Sequence, residues 1–84
     1  MKRIERTQTG LRIETRLLKV LKGLAEHLDM TVAEVVEGVS LHAFEGKAPF
    51  NERTMEKIEQ LKSVYDLDLT AEDSHKLTEA RDAQ

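Results

Sequence analysis

Gln8 carries an amide and Arg12 a guanidinium, and both groups make paired hydrogen bonds within one plane. Such an amide matches the N6/N7 edge of adenine, and a guanidinium matches the O6/N7 edge of guanine. The two residues lie in the stretch Thr7-Gln8-Thr9-Gly10-Leu11-Arg12-Ile13. In an extended chain successive side chains alternate, so Gln8, Gly10 and Arg12 face one way and Leu11 and Ile13 the other. Taken singly, each of these polar groups is an ordinary exposed residue.

Further cations surround the stretch. Lys2, Arg3 and Arg6 precede it, and Arg16, Lys19 and Lys22 follow it. Residues 1–28 hold seven basic residues against three acids, a net +4, whereas residues 29–84 hold six against thirteen, a net −7. The overall charge of −3 therefore hides a basic head on an acidic body. Lys2, Arg3 and Arg6 suit an arm that follows a phosphate backbone, and they equally suit a solvated terminus. Arg16, Lys19 and Lys22 read as a water-facing helix side that adds field without contact.

Other chemistries find little support. No two of His27, His42 and His75 stand at helical ligand spacing, and cysteine is absent, so no metal site, cofactor or disulfide is expected. No serine, histidine and acid grouping has a supporting motif, so no enzymatic activity is expected.

The elements that must position these residues follow from periodicity. Residues 7–13 read as a short strand, with no second strand nearby. A lone strand leaves a row of unpaired backbone groups, so its expected partner is the same strand of a second copy. Leu17, Leu18, Leu21, Leu24, Ala25 and Leu28 then form a helical stripe, with Glu14 at its start. Gly23 is an oddity, because glycine costs roughly 1 kcal/mol against alanine inside a helix. It either permits close helix contact or is simply tolerated.

Leu28-Asp29-Met30 breaks the helix. Thr31-Val32-Ala33-Glu34 has the pattern of a capping box. The second helix carries Val32, Val35, Val36, Val39 and Ala43 on one stripe and should end near Glu45, with Gly46 as its stop. Residues 46–50 read as a hinge. Asn51 caps a third helix running to about Tyr65, with Met55, Ile58, Leu61 and Val64 apolar. Asp66–Leu69 is a connector. Thr70 looks like a new start, giving a short helix or a partly ordered tail.

Strand, helix, turn and capped helix within about forty residues resemble the ribbon-helix-helix family of the Arc, MetJ and CopG type. The resemblance covers roughly residues 7–45 and rests on Gln8-Thr9-Gly10-Leu11-Arg12-Ile13 and on Met30-Thr31-Val32-Ala33-Glu34-Val35-Val36. It implies a mainly α fold with one N-terminal strand pairing across an obligate dimer. Residues 1–46 would be the dimerisation and DNA-binding domain, and residues 47–84 a C-terminal helical extension.

It also implies that Gln8, Gly10 and Arg12 read bases from a β-ribbon in the major groove. Thr31 and Val32, at a helix N-terminus, would hold phosphate together with the arm Lys2, Arg3 and Arg6. Leu11, Ile13, Leu17, Leu21, Leu24, Val32, Val35, Val36 and Val39 would form the dimer core. Gly10 departs from the pattern, which expects a polar side chain there.

Composition agrees with association. A chain of 84 residues, 39% hydrophobic and 4% aromatic, buries a modest share of its surface and gains from a second copy. No apolar run approaches a membrane span, and the N-terminus leads into no apolar signal core, so a cytoplasmic protein is expected. Three functions compete. The first is a dimeric transcriptional regulator, a repressor, on double-stranded DNA. The second is an antitoxin whose acidic C-terminal half wraps a toxin, against which the regular third helix speaks. The third is an interaction scaffold without DNA binding, favoured by the net charge and Gly10 and opposed by Gln8, Arg12 and the basic head.

Overall fold

The computed structural model describes residues 1–80. Residues 1–13 have no regular secondary structure, and three helices follow: α1 Thr15–Leu28, α2 Val32–Phe44 and α3 Glu52–Val64. A single 3-10 turn, Ala71–Asp73, lies beyond them.

Each helix starts on a side-chain cap. The Glu14 carboxylate accepts the Leu17 amide at 2.8 Å and opens α1. Thr31 Oγ1 accepts the Glu34 amide at 3.1 Å while Glu34 Oε1 accepts the Thr31 amide at 2.9 Å, which is the expected capping box. Asn51 Oδ1 accepts the Thr54 amide at 2.8 Å and opens α3.

Each helix also stops on a left-handed residue, Asp29 (φ 56°), Gly46 (φ 69°) or Asp66 (φ 55°). The chain then turns back so that the amides of Met30, Lys47 and Leu67 reach the carbonyls of Ala25, His42 and Lys62. These bonds satisfy carbonyls that the helix ends leave unpaired. Only one of the three stops is glycine.

Helix α1 is the centre of the fold. Both α2 and α3 pack on it, and the backbones of α2 and α3 do not approach each other. The core is small: Leu24 (2% exposed), Ala25 and Val35 are buried, with Leu21, Leu28, Val32, Val39, Phe50, Ile58 and Leu61 packed around them. Val20 is also buried. Gly23 faces α3, where a Cβ would stand 2.9 Å from a methyl of Leu61. Gly23 thus sits at a close α1–α3 contact, where a side chain would require Leu61 to give way.

The ribbon-helix-helix expectation is overturned. The described residues are helical or irregular and contain no strand, so the strand expected over residues 7–13, and with it the fold that pairs such strands across an obligate dimer, is not seen. The physical reason is local. Nothing among the described residues offers residues 7–13 a ladder of backbone partners, and Gly10 weakens extended pairing. Ion pairs from Arg6 and Arg12 fasten the segment instead.

Two other expectations change in detail. The helix start at Thr70 yields one 3-10 turn, and the last residues of the expected extension, 81–84, lie outside the described residues. Among the described residues, no helix is long and apolar enough to cross a membrane.

Candidate nucleic-acid interface

Gln8, Gly10 and Arg12 are all exposed on the irregular N-terminal segment. Leu11, expected in a shared core, is 71% exposed, while Ile13 is half-buried. The segment is tied down at two points. Arg6 meets Glu37 of α2 in a two-pronged pair, Nε to Oε2 and Nη2 to Oε1, each 2.9 Å. Arg12 pairs with Glu79 of the C-terminal segment. The hydrogen bonds to Glu37 push the Arg6 pKa upward, and the same bonds hold the Glu37 carboxyl below its ordinary range.

Arg6 lies at the opening turns of α2, within the field of Glu34, which is the capping partner of Thr31. The fold thus brings together two of the expected phosphate contacts, Arg6 and the α2 N-terminus. Thr31 Oγ1 serves as acceptor in the cap and keeps its hydroxyl proton to donate. The Glu34 carboxylate already takes the Thr31 amide, so the donors left at this helix start are Thr31 Oγ1 and the amides of Val32 and Ala33. Glu34 and Glu37 also place two negative charges nearby, which work against a bound phosphate. Lys2 and Arg3 are exposed at the far end of the arm.

Arg16 was expected to be a water-facing residue that adds field without contact, yet it is the most connected cation among the described residues. Its Nε donates to Glu14 at 3.1 Å, and its Nη1 donates to the Asp66 carbonyl and to Asp68 Oδ1, both at 3.0 Å. Glu14 lies below the ordinary carboxylate range, first because it accepts the Leu17 amide and then because Arg16 stands beside it. Lys19 Nζ sits 6.0 Å from the centre of the Tyr65 ring, at the outer reach of a cation–π contact. Asp66 and Asp68 lie 50 and 52 residues from Arg16, too far for any local rule to name them as its partners.

The expected dimer core divides. Leu24 and Val35 are buried within the single chain, and Leu21, Val32 and Val39 are half-buried against them. Leu17 and Val36 are exposed. Sequence reasoning missed Val20 and Phe50 as core residues. Val20 lies one turn from both Leu17 and Leu24, so a wider stripe would have found it. Phe50, assigned to the hinge, is the residue just before the Asn51 cap and packs onto the core from there.

The histidines hold no metal cluster among the described residues. His42 Nδ1 is 2.7 Å from the Gly38 carbonyl on its own helix. In comparisons with protein-family models, with curated proteins and with solved structures, the chain matches none.

Proposed function

We propose that this protein is a sequence-specific DNA-binding transcriptional regulator, a repressor, that acts as a dimer. The exposed, irregular segment 1–12 carries the reading, with four basic side chains against the single acid Glu5. Its contact with DNA is that of an arm, and no β-ribbon enters the mechanism. Gln8 and Arg12 supply groove contacts, with the bare backbone at Gly10 admitting close approach. Lys2, Arg3 and Arg6 neutralise phosphates, and the α2 start at Thr31 and Val32 adds hydrogen-bond donors and the positive end of the helix dipole.

The dimer rests on α2. One side of this helix packs on α1, while Ala33, Val36, Ala43 and Phe44, which share another side with Ser40, are exposed, Phe44 by 82%. A helix apolar on more than one side is a buried helix, and α3 does not cover it. The chain exposes 7793 Å², where a compact 9.6 kDa monomer exposes about 5,100 Å². A second copy paired through α2 covers apolar surface and gives two arms related by a two-fold axis, which suits an inverted operator.

Salt titration of binding to a labelled mixed-sequence duplex tests the reading. Affinity should fall steeply with salt, because each neutralised phosphate releases counterion. Binding that is flat with salt contradicts the phosphate-neutralising arm. A chain that remains a dimer without binding any duplex favours the interaction-scaffold reading, to which the acids on Arg6 and Arg12 already lend some support.

A further inference from the structure

The C-terminal segment lies against the basic head in an ordered register. Tyr65 meets Lys19, the Asp66 carbonyl and Asp68 meet Arg16, and Glu79 meets Arg12. As the chain runs forward from 65 to 79, its partners run backward from 19 to 12, so the segment returns along the start of α1 and into the N-terminal arm. Residues 65–79 hold five acids, Asp66, Asp68, Glu72, Asp73 and Glu79, against the single base Lys76.

We propose that this acidic segment is a built-in competitor for DNA, its carboxylates occupying in the free protein the sites where Arg12 and Arg16 receive the nucleic acid. The proposal rests on the DNA-binding reading above and adds to it a residue and a mode of control. Arg16 becomes a phosphate contact, and the C-terminal segment becomes a brake.

The chemistry of exchange is direct. A guanidinium binds carboxylate and phosphate oxygens with the same planar donors, so a carboxylate on Arg16 is a stand-in for a backbone phosphate. The clasp is also releasable. The Arg12 and Glu79 side chains are 84% and 68% exposed, and Asp68 is 81% exposed, so solvent screens each pair and none holds tightly alone. A duplex offers many phosphates at high local density and displaces them together.

The contrast with Arg6 is informative. Its acid partner belongs to a helix of the folded core, Glu37 of α2, and so orients the arm, whereas the partners of Arg12 and Arg16 lie mainly on a segment that can leave without unfolding a helix.

The test uses the full chain and a fluorescein-labelled mixed-sequence duplex, with binding followed by anisotropy across a salt series. Asp68→Asn combined with Glu79→Gln opens the clasp. Glu26→Gln combined with Glu56→Gln removes the same charge from exposed positions outside it. The clasp variant should bind about three- to tenfold more tightly than wild type, because the competent state no longer shares its population with the closed one. Its salt dependence should also steepen, because wild-type binding must break exposed ion pairs that salt itself weakens, and that opposing contribution is gone in the variant. The charge-matched control should change affinity much less, and adding Arg16→Gln to the clasp variant should remove part of the gain.

If wild type binds and the clasp variant binds no better than the control, the competitor is overturned while the DNA-binding reading stands. If the gain survives Arg16→Gln in full, Arg16 is not a phosphate contact and the proposal fails at that residue. If neither protein binds any duplex, the DNA-binding reading falls and takes the competitor with it.

Discussion

Arg12 carries the most specific claim about function at a single residue. Its guanidinium can make two parallel bonds to one guanine, so Arg12→Ala should cost roughly 1–3 kcal/mol on a cognate site and relax the preference there. Thr31→Ala should behave differently. It removes the Oγ1 that accepts the Glu34 amide, so denaturant unfolding should show a loss of about 1 kcal/mol. Its effect on DNA should be similar across sequences, because a phosphate contact carries no base information. A changed base preference in Thr31→Ala places that residue in the groove and not on the backbone.

Glu14 and Glu37 give the acid behaviour its sign. Both carboxyls are held below their ordinary range in the folded chain, Glu14 by the Leu17 amide and then Arg16, Glu37 by Arg6. Their contribution is complete above the unfolded glutamate value of about 4.3 and is lost as pH falls through the depressed folded values. Urea unfolding at neutral pH and at successively lower pH should show stability falling on the acid side, and Glu14→Gln should flatten that fall. These residues also show how far the sequence could be read. Glu14 was placed at the helix start from its position alone, whereas the partner of Arg6 lies 31 residues away and no local rule announces it.

The helices were the most legible elements. Thr31 with Glu34, Asn51 and Gly46 are local signals whose chemistry works within four residues, so they marked starts and stops without knowledge of the fold. The strand expected over residues 7–13 failed because alternation is necessary for a strand but not sufficient. A strand exists only through the backbone it pairs with, and periodicity does not supply one. Asp29 shows a related limit. A non-glycine residue in the left-handed region is set by the helices on either side, not by its own preference. Asp29→Gly relieves that strain and should raise stability by about 0.5–1 kcal/mol in thermal or urea unfolding.

Gly23 was an oddity in sequence because its close neighbour, Leu61, belongs to α3. Gly23→Val should push α3 from α1, with a loss of about 1–3 kcal/mol and faster amide exchange along α3. Unchanged exchange in α3 contradicts the close approach.

Four buried apolar residues among those described are slight support for a chain of this length. The radius of gyration, 14.5 Å, exceeds the roughly 12 Å of a compact domain of this size, and the molecule spans 52 × 31 × 25 Å. Elongation, an apolar α2 face and an exposed basic arm are consistent with a molecule completed by a second copy. Val36→Glu with Phe44→Glu should shift sedimentation equilibrium from dimer to monomer and weaken DNA binding with it, because two arms on one duplex gain from each other's presence. A wild-type chain that is monomeric at high concentration contradicts the dimer. The whole-molecule arrangement was the least legible part of the sequence. Charge asymmetry announced a basic head and an acidic body, but not that the body folds back onto the head through Arg12 and Arg16.

A binding selection from random duplex DNA at moderate salt, run side by side on wild type and Arg12→Ala, bears on the regulator itself. Enrichment of an inverted-repeat motif by wild type, and its loss or degeneration with Arg12→Ala, is the expected result. A folded wild-type protein that enriches no motif, or an Arg12→Ala variant that enriches the same motif equally well, contradicts a sequence-reading N-terminal arm.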